Sequence, residues 1–267
     1  MSTFVSLGLE SLQKRFAEID LILSYASEKE NTSELYSTLC RSAQVLLIAH
    51  FEGAVKQFVR DVIDDFNQSN YEFKDSPNAL KYTFCTFFIK ENNDLIRNKL
   101  LDTFNSVPVK YTAEAFLFNN HSDNNRNPNS NVLNNILQRF GVSGFLSQIE
   151  NSDLDIAFED SKSNQVAIRD KIKFYLIENV KSYPYTVSLE LFNIKYDRNA
   201  DKRKLRKKSI WEEFLDEVMI KRHTIAHGNS LESQCSHTEI ERSKLKIEIL
   251  IYAYVLLLCK FSSPSLN

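Results

Sequence analysis

The sequence is poor in the residues that break helices, and its cysteines lack the spacing of a metal site. Its 267 residues include 5 glycines and 5 prolines, few for a hairpin-rich β fold, so helices are favoured. The four cysteines lie far apart with no Cys-x-x-Cys pair, so neither a structural zinc site nor a redox motif is predicted. The formal net charge of −2 gives no global attraction to nucleic acid, and any basic footprint must be local.

Long apolar runs are also missing. The longest, over 249–259, is too short to cross a bilayer and predicts a buried helix. The opening Met-Ser-Thr-Phe lacks the basic and apolar segments of a signal peptide. The hydrophobic fraction of 43% and the charged fraction of 25% are those of a globular protein that can bury a core. We therefore expect a reduced, cytoplasmic protein that does not span a membrane.

Apolar residues in steps of three and four predict amphipathic helices at both ends of the chain. The seam of the first helix could pack on a neighbouring helix or on a second chain, and it consists of Val5, Leu9, Leu12, Phe16, Ile19 and Leu23. The second helix is predicted from about residue 32 to before residue 68, with Asn31 and Glu34 as its capping pair. Two further pairs, Ser209 with Glu212 and Ser236 with Glu239, are predicted to cap the last two helices.

The middle third of the chain is more polar. Aromatic and β-branched residues over 82–89 could form a strand, but with the helical pattern over 94–104 the whole stretch is predicted to be mostly helical. The other predicted elements are an Asn-rich loop over 116–130, helices over 132–140 and 168–180, an acidic surface loop over 151–164 and a short strand pair over 185–194. The sequence shows no clear linker and no internal repeat. We therefore expect one mainly α-helical domain over 1–267, with helical halves at about 1–70 and 205–267. The region of about 71–204 is expected to be a polar, partly irregular insertion between them.

A histidine-rich stretch near the end of the chain interrupts the apolar pattern of its helix. The stripe places a guanidinium, Arg222, where a hydrophobic residue is expected, after Trp211, Phe214, Leu215, Val218 and Met219. A buried Arg cannot lose its proton, so it needs acceptors nearby or an anionic ligand. His223 and His227 follow it closely, and Gly228 is a candidate helix C-cap.

The pair Arg222 and His227 suits phosphodiester cleavage in RNA. An imidazole can take the proton of a 2′-hydroxyl or give one to the leaving oxygen, and a guanidinium can neutralise charge on the phosphate; this route needs no metal. On one helix the two side chains would point about 140° apart. Either the helix ends between them, or a second copy of the chain completes the site.

The string Arg-His-x-x-Ala-His-Gly, with Ala49-His50-Phe51-Glu52-Gly53-x-x-Lys56 on the second helix, resembles the HEPN superfamily. It is similar in particular to the HEPN-like nucleases of prokaryotic defence and toxin–antitoxin loci. These carry an Arg-x(4–6)-His motif with a polar residue, more often Asn, after the Arg; here that place is taken by His223. The resemblance implies a HEPN-like helical bundle that dimerises and brings two motifs into one cleft.

What the resemblance implies for function is RNA cleavage without metal or cofactor, leaving a 2′,3′-cyclic phosphate. It implies that Arg222 and His227 are catalytic, that His223 supports them and that Glu52 could orient Arg222. It also implies a role in phage defence or in a toxin–antitoxin system. A separate antitoxin or regulatory protein would then be the partner.

Other interpretations of the same residues remain open. Arg222 could form a structural ion pair with Glu52, Glu52 could instead pair with Lys56, and His223 with His227 could bind a metal. A basic run could be a solvated surface or could bind RNA phosphates, and it comprises Lys202, Arg203, Lys204, Arg206, Lys207 and Lys208. The protein could also be a non-catalytic RNA- or protein-binding module, or a scaffold that dimerises through the seam of its first helix.

Overall fold

The computed structural model describes residues 2–89, 93–117, 129–197, 207–226 and 235–264, and every regular element in these ranges is a helix. The helices are α1 (Phe4–Ser27), α2 (Glu34–Gln68), α3 (Asn78–Phe87), α4 (Asp94–Ser106), α5 (Glu114–Leu117), α6 (Ser130–Arg139), α7 (Phe145–Gln148), α8 (Lys162–Asn179), α9 (Ile210–Ala226) and α10 (His237–Ser262). Short 3-10 helices span Phe73–Asp75, Asp153–Phe158 and Glu190–Phe192. The predicted mainly α class is confirmed.

The seam of α1 packs on α2 of the same chain. Its six apolar residues are between 0 and 6% exposed, so they are not available to a second chain. The first turn of α1 is held by Asp65 of α2, whose carboxylate accepts hydrogen bonds from the backbone N–H of Phe4 at 2.7 Å and of Val5 at 3.2 Å. A scaffold that dimerises through this seam is therefore excluded.

The last helix, α10, lies in the core, as its apolar run predicted. Every residue over 247–259 is buried, and the helix packs on α1, α2 and α8. Its two buried charged residues are paired: Lys244 binds Asp20 of α1 at 2.6 Å, and Glu248 binds Arg169 of α8 at 3.2 Å. Buried side chains from the first helix, the middle region and α10 belong to one continuous core.

Two predictions about the middle region were wrong. The segment over 185–194 forms no strand pair, because Tyr185 N–H donates to Ser263 Oγ and Thr186 N–H donates to Asn179 O. The alternation arises because Val187 and Leu189 are buried while their neighbours are more exposed. The acidic stretch over 151–164 is likewise not a surface loop, since it contains a 3-10 helix and the start of α8.

One predicted cap was also wrong. Ser33, not Asn31, caps α2, and its hydroxyl accepts a hydrogen bond from Tyr36 N–H at 3.1 Å. The reason is a turn in which Ser33 N–H donates to Glu30 O at 2.9 Å, so that Asn31 lies within the turn rather than at the helix start.

Among the described helices, none is long and apolar enough to cross a membrane.

Candidate functional site

The helix that carries Arg222 is fixed at its start by a reciprocal cap. Ser209 N–H donates to Glu212 Oε2 at 2.7 Å, and Glu212 N–H donates to Ser209 Oγ at 3.2 Å, which confirms the predicted capping pair. Its apolar stripe is buried, with Trp211 and Leu215 fully so. The indole N–H of Trp211 also donates to Asp155 Oδ1 at 2.9 Å. The cap thus fixes the start of α9, and the Trp211–Asp155 bond attaches it to the middle region.

Arg222 lies in the last described turns of α9 and is half-buried. Within the described residues its guanidinium makes no hydrogen bond and no ion pair. Glu52 instead accepts a hydrogen bond from Lys56 Nζ at 2.7 Å, one turn along α2. The Glu52–Lys56 pair considered from the sequence is thus present, while a role for Glu52 in orienting Arg222 stays a prediction.

Several predicted site residues lie outside the described residues. These are His227 and Gly228, together with Lys202, Arg203, Lys204 and Arg206. The structure therefore does not test whether Arg222 and His227 come together, nor the alternative of a metal between His223 and His227. His223 is exposed on α9. Of the basic run, Lys207 and Lys208 are described; both are exposed, and Lys208 pairs with Asp216 at 2.8 Å.

The start of α10 brings further charged groups beside the end of α9. Lys221, next to Arg222, pairs with Glu217 at 2.6 Å. Burial acts to lower the pKa of Lys221, but the hydrogen bond to Glu217 acts to raise it, and the net shift is upward. Burial raises the pKa of the nearby Cys235 thiol, while the charge of Lys221 opposes that shift. The predicted cap of α10 is confirmed, since Ser236 and Glu239 bond reciprocally.

Sequence reasoning missed two basic residues at this junction, Arg242 and Lys246. They lie one helical turn apart on α10, and the Lys246 ammonium lies 4.7 Å from the ring centre of Phe158 and 5.4 Å from that of Phe214. The signal in the sequence was their i, i+4 spacing on the polar side of an otherwise apolar helix. Nothing in the sequence alone indicated that this side faces α9.

Comparison with known proteins identifies one family. The family model described as RiboL-PSP-HEPN matches residues 10–159, which is more than half of the chain. The matched span includes about three quarters of α1 and the whole of α2, with Glu52, and it ends before α9. Arg222 and His227 therefore lie beyond the match. No curated protein and no solved structure matches the chain.

Proposed function

Because the chain belongs to the RiboL-PSP-HEPN family, within the HEPN superfamily, we propose that it is a metal-independent endoribonuclease. HEPN domains form a family of ribonucleases that are often part of defence or toxin–antitoxin systems. The observation that carries the proposal is Arg222, a half-buried guanidinium with no acceptor among the described residues. Such a group is costly to bury unless an anion binds it, and a phosphodiester is an anion of matching geometry.

In the proposed reaction the 2′-oxygen of one nucleotide attacks the adjacent phosphorus. His227 takes the proton of the 2′-hydroxyl or gives one to the departing 5′-oxygen. The P–O2′ bond forms as the P–O5′ bond breaks, which leaves a 2′,3′-cyclic phosphate and a 5′-hydroxyl. Arg222 neutralises the negative charge that develops on the non-bridging phosphate oxygens.

We place the reaction in a cleft between two copies of the chain. On a continuous helix the side chains of Arg222 and His227 would diverge by about 140°, so one copy would present them poorly to a single phosphate. Ile220, two residues before Arg222, is 66% exposed, and such an apolar residue beside the motif suits an interface. The seam of α1 cannot form the interface between the two copies, because α2 of the same chain covers it.

The remaining roles follow from the same proposal. His223 and Glu52 support the catalytic pair, and the basic run over 202–208 contacts RNA phosphates outside the cleft. A protein that cuts cellular RNA needs control, so we propose a separate antitoxin or regulatory partner and a role in defence or in a toxin–antitoxin system. No cofactor takes part in this mechanism.

The test is cleavage of a mixed RNA pool by the purified protein in EDTA. Wild type should cut and leave 2′,3′-cyclic phosphate ends, whereas His227→Ala and Arg222→Ala should each lose about 100-fold or more in rate. Lys181→Ala is the control for non-specific effects of lost charge, because Lys181 is exposed, pairs with Glu178 at 2.7 Å and has no place in the proposed site. Cleavage that returns only with added divalent metal would overturn the mechanism and favour the two-histidine metal site.

A second function, binding of RNA or protein without cleavage, is favoured by one observation. The family match covers the helical body over 10–159 and does not extend to Arg222 and His227. A binding module should keep its RNA affinity, with the usual fall at higher salt, when His227 is replaced. Binding by wild type and His227→Ala with no cleavage by either, at a concentration where the protein is dimeric, would establish this function instead.

A further inference from the structure

The Lys246 side chain is held in a specific place without a carboxylate partner. Its ammonium lies over the rings of Phe158 and Phe214, and within the described residues it forms no ion pair. Cation–π contacts of this kind orient a lysine while leaving its N–H donors open. Lys246 is therefore a positioned cation whose N–H donors bind no carboxylate in the described part of the chain, unlike Lys244 on the same helix, which is bound to Asp20 at 2.6 Å.

Other positive charges gather around Lys246. Arg242 precedes it by one turn of α10, is exposed and, among the described residues, has no ion-pair partner. Burial lowers the pKa of Lys246, and the charges of Arg242 and Lys221 lower it further, while Glu217 and Asp160 oppose this. Like charges at i, i+4 destabilise a helix, so this arrangement has a cost in the absence of an anion.

Three carboxylates lie near these three cations, and two of the three are already engaged by other groups. Glu217 forms a direct bond with Lys221 at 2.6 Å, and Glu239 is engaged by the cap of α10. Asp160 acts on Lys246 through its charge, without an ion pair among the described residues. Lys221 immediately precedes Arg222, so the cluster reaches the part of α9 that carries the proposed cleavage site.

We propose that Arg242 and Lys246 form a phosphate-binding ledge that holds the RNA backbone next to the bond being cut. The ledge rests on the proposed function, because its ligand is the RNA that Arg222 and His227 cleave. It adds α10 to the substrate surface and gives the protein contacts to a flanking nucleotide through backbone phosphate alone. It should thus raise affinity for RNA of any sequence without taking part in the reaction.

The test measures binding of a labelled single-stranded RNA of mixed sequence across a range of salt concentrations, in a His227→Ala background that prevents cleavage. The variants are Arg242→Gln and Lys246→Met, the second of which keeps an apolar stem over the two rings. Each variant should reduce the slope of the logarithm of the binding constant against the logarithm of the salt concentration by about 0.7. Over the tenfold change from 1 M to 0.1 M salt, this makes the variant bind RNA about fivefold more weakly than the parent at 0.1 M, if the two bind equally at 1 M. Lys173→Met is the matched control, since Lys173 lies 5.5 Å from the ring centre of Phe174 on α8.

Cleavage kinetics in the otherwise wild-type protein supply the second measurement. The ledge variants should raise KM and retain kcat at saturating RNA, because the contacts are made equally in the ground and transition states. RNA binding that neither variant weakens would overturn the ledge and leave the ribonuclease intact. Binding that both weaken, with no cleavage by wild type, would support the ledge and overturn the nuclease. If Lys246→Met does not fold, RNA binding by the Arg242→Gln variant, at an exposed position, is the test of the ledge.

Discussion

The carboxylate of Asp61 lies against Gly8 where α1 packs on α2, and a Cβ added at Gly8 would be 2.4 Å from Asp61 Oδ2. Asp61 is 4% exposed; its Oδ1 accepts a hydrogen bond from Gln57 Nε2 at 2.7 Å, and its Oδ2 has no hydrogen-bond partner in the described part of the chain. Burial raises the pKa of Asp61 to about 7, and the charges of Asp65 and Asp64 act in the same direction. This contact between the two helices thus depends on a glycine and on an acid whose pKa lies near neutral pH.

The first prediction is that Gly8→Ala destabilises the protein by about 1–3 kcal/mol, because the new methyl group overpacks the contact with Asp61. Gly53→Ala is the matched control: its Cβ would lie 3.2 Å from Arg15 Nη1, the movable end of a long side chain. That variant should be close to neutral, since a helical Gly→Ala change also gains about 1 kcal/mol in propensity. Urea unfolding measures both, and equal stabilities of the two variants would contradict the prediction.

The second prediction concerns pH. The pKa of Asp61 is about 7 in the folded protein, against an ordinary value of 3.8, so between these two pH values the folded state binds more protons than the unfolded state. The contribution of Asp61 to stability is therefore present in full at low pH and is lost as pH rises through 7. At most it amounts to about 4 kcal/mol, given 1.36 kcal/mol for each unit.

Unfolding free energies of wild type and Asp61→Asn, measured from pH 4 to pH 8, test this. The amide cannot ionise, so the variant should lose less stability over this range than wild type. Asp65 and Glu248, whose pKa values burial also raises, remain in both proteins and account for a shared background. Parallel curves for the two proteins would show that Asp61 does not titrate in this range.

The helical body could be predicted from the sequence because apolar periodicity reports burial directly. The seam of α1, the long α2 and the apolar run of α10 all pack as their patterns indicated. The strand pair over 185–194 failed because alternating burial does not require a neighbouring strand. There, Tyr185 N–H bonds to a side chain, and the apolar residues pack on helices.

Only those features of the candidate site that depend on residues close together in the chain could be predicted from the sequence. Arg222 was identifiable because it breaks an apolar stripe, and Glu52 because it lies in a short motif on α2. Arg242 and Lys246 were not, since their significance depends on α10 passing beside α9 and on Phe158 lying under the lysine. Contacts between residues far apart in the chain leave no periodic signal in a single sequence.

The third prediction separates the two roles of Glu52. Glu52→Gln and Lys56→Gln break the same 2.7 Å ion pair, which is partly exposed, so each should cost under about 0.5 kcal/mol in stability. If Glu52 positions Arg222, Glu52→Gln alone should reduce RNA cleavage, by about tenfold in kcat with little change in KM. Equal effects of the two variants on cleavage would limit Glu52 to its pair with Lys56.

The fourth prediction tests the dimer through the exposed residue beside the motif. If α9 meets its copy across a two-fold axis, Ile220→Glu places like charges in the same interface. Dimerisation should weaken by about 30-fold or more, corresponding to about 2 kcal/mol, the threshold of an interface hot spot. Sedimentation measures the association, and cleavage assayed over a range of protein concentrations measures its consequence.

Phe174→Glu is the control, because Phe174 is also apolar and 60% exposed but lies on α8. It should leave both association and cleavage unchanged. For Ile220→Glu the loss of cleavage should be reversed at high protein concentration, since the catalytic side chains are intact and only their assembly is impaired. Cleavage that falls without any change in association would instead indicate that one copy holds the whole site, with Ile220 acting on Arg222 within its own helix.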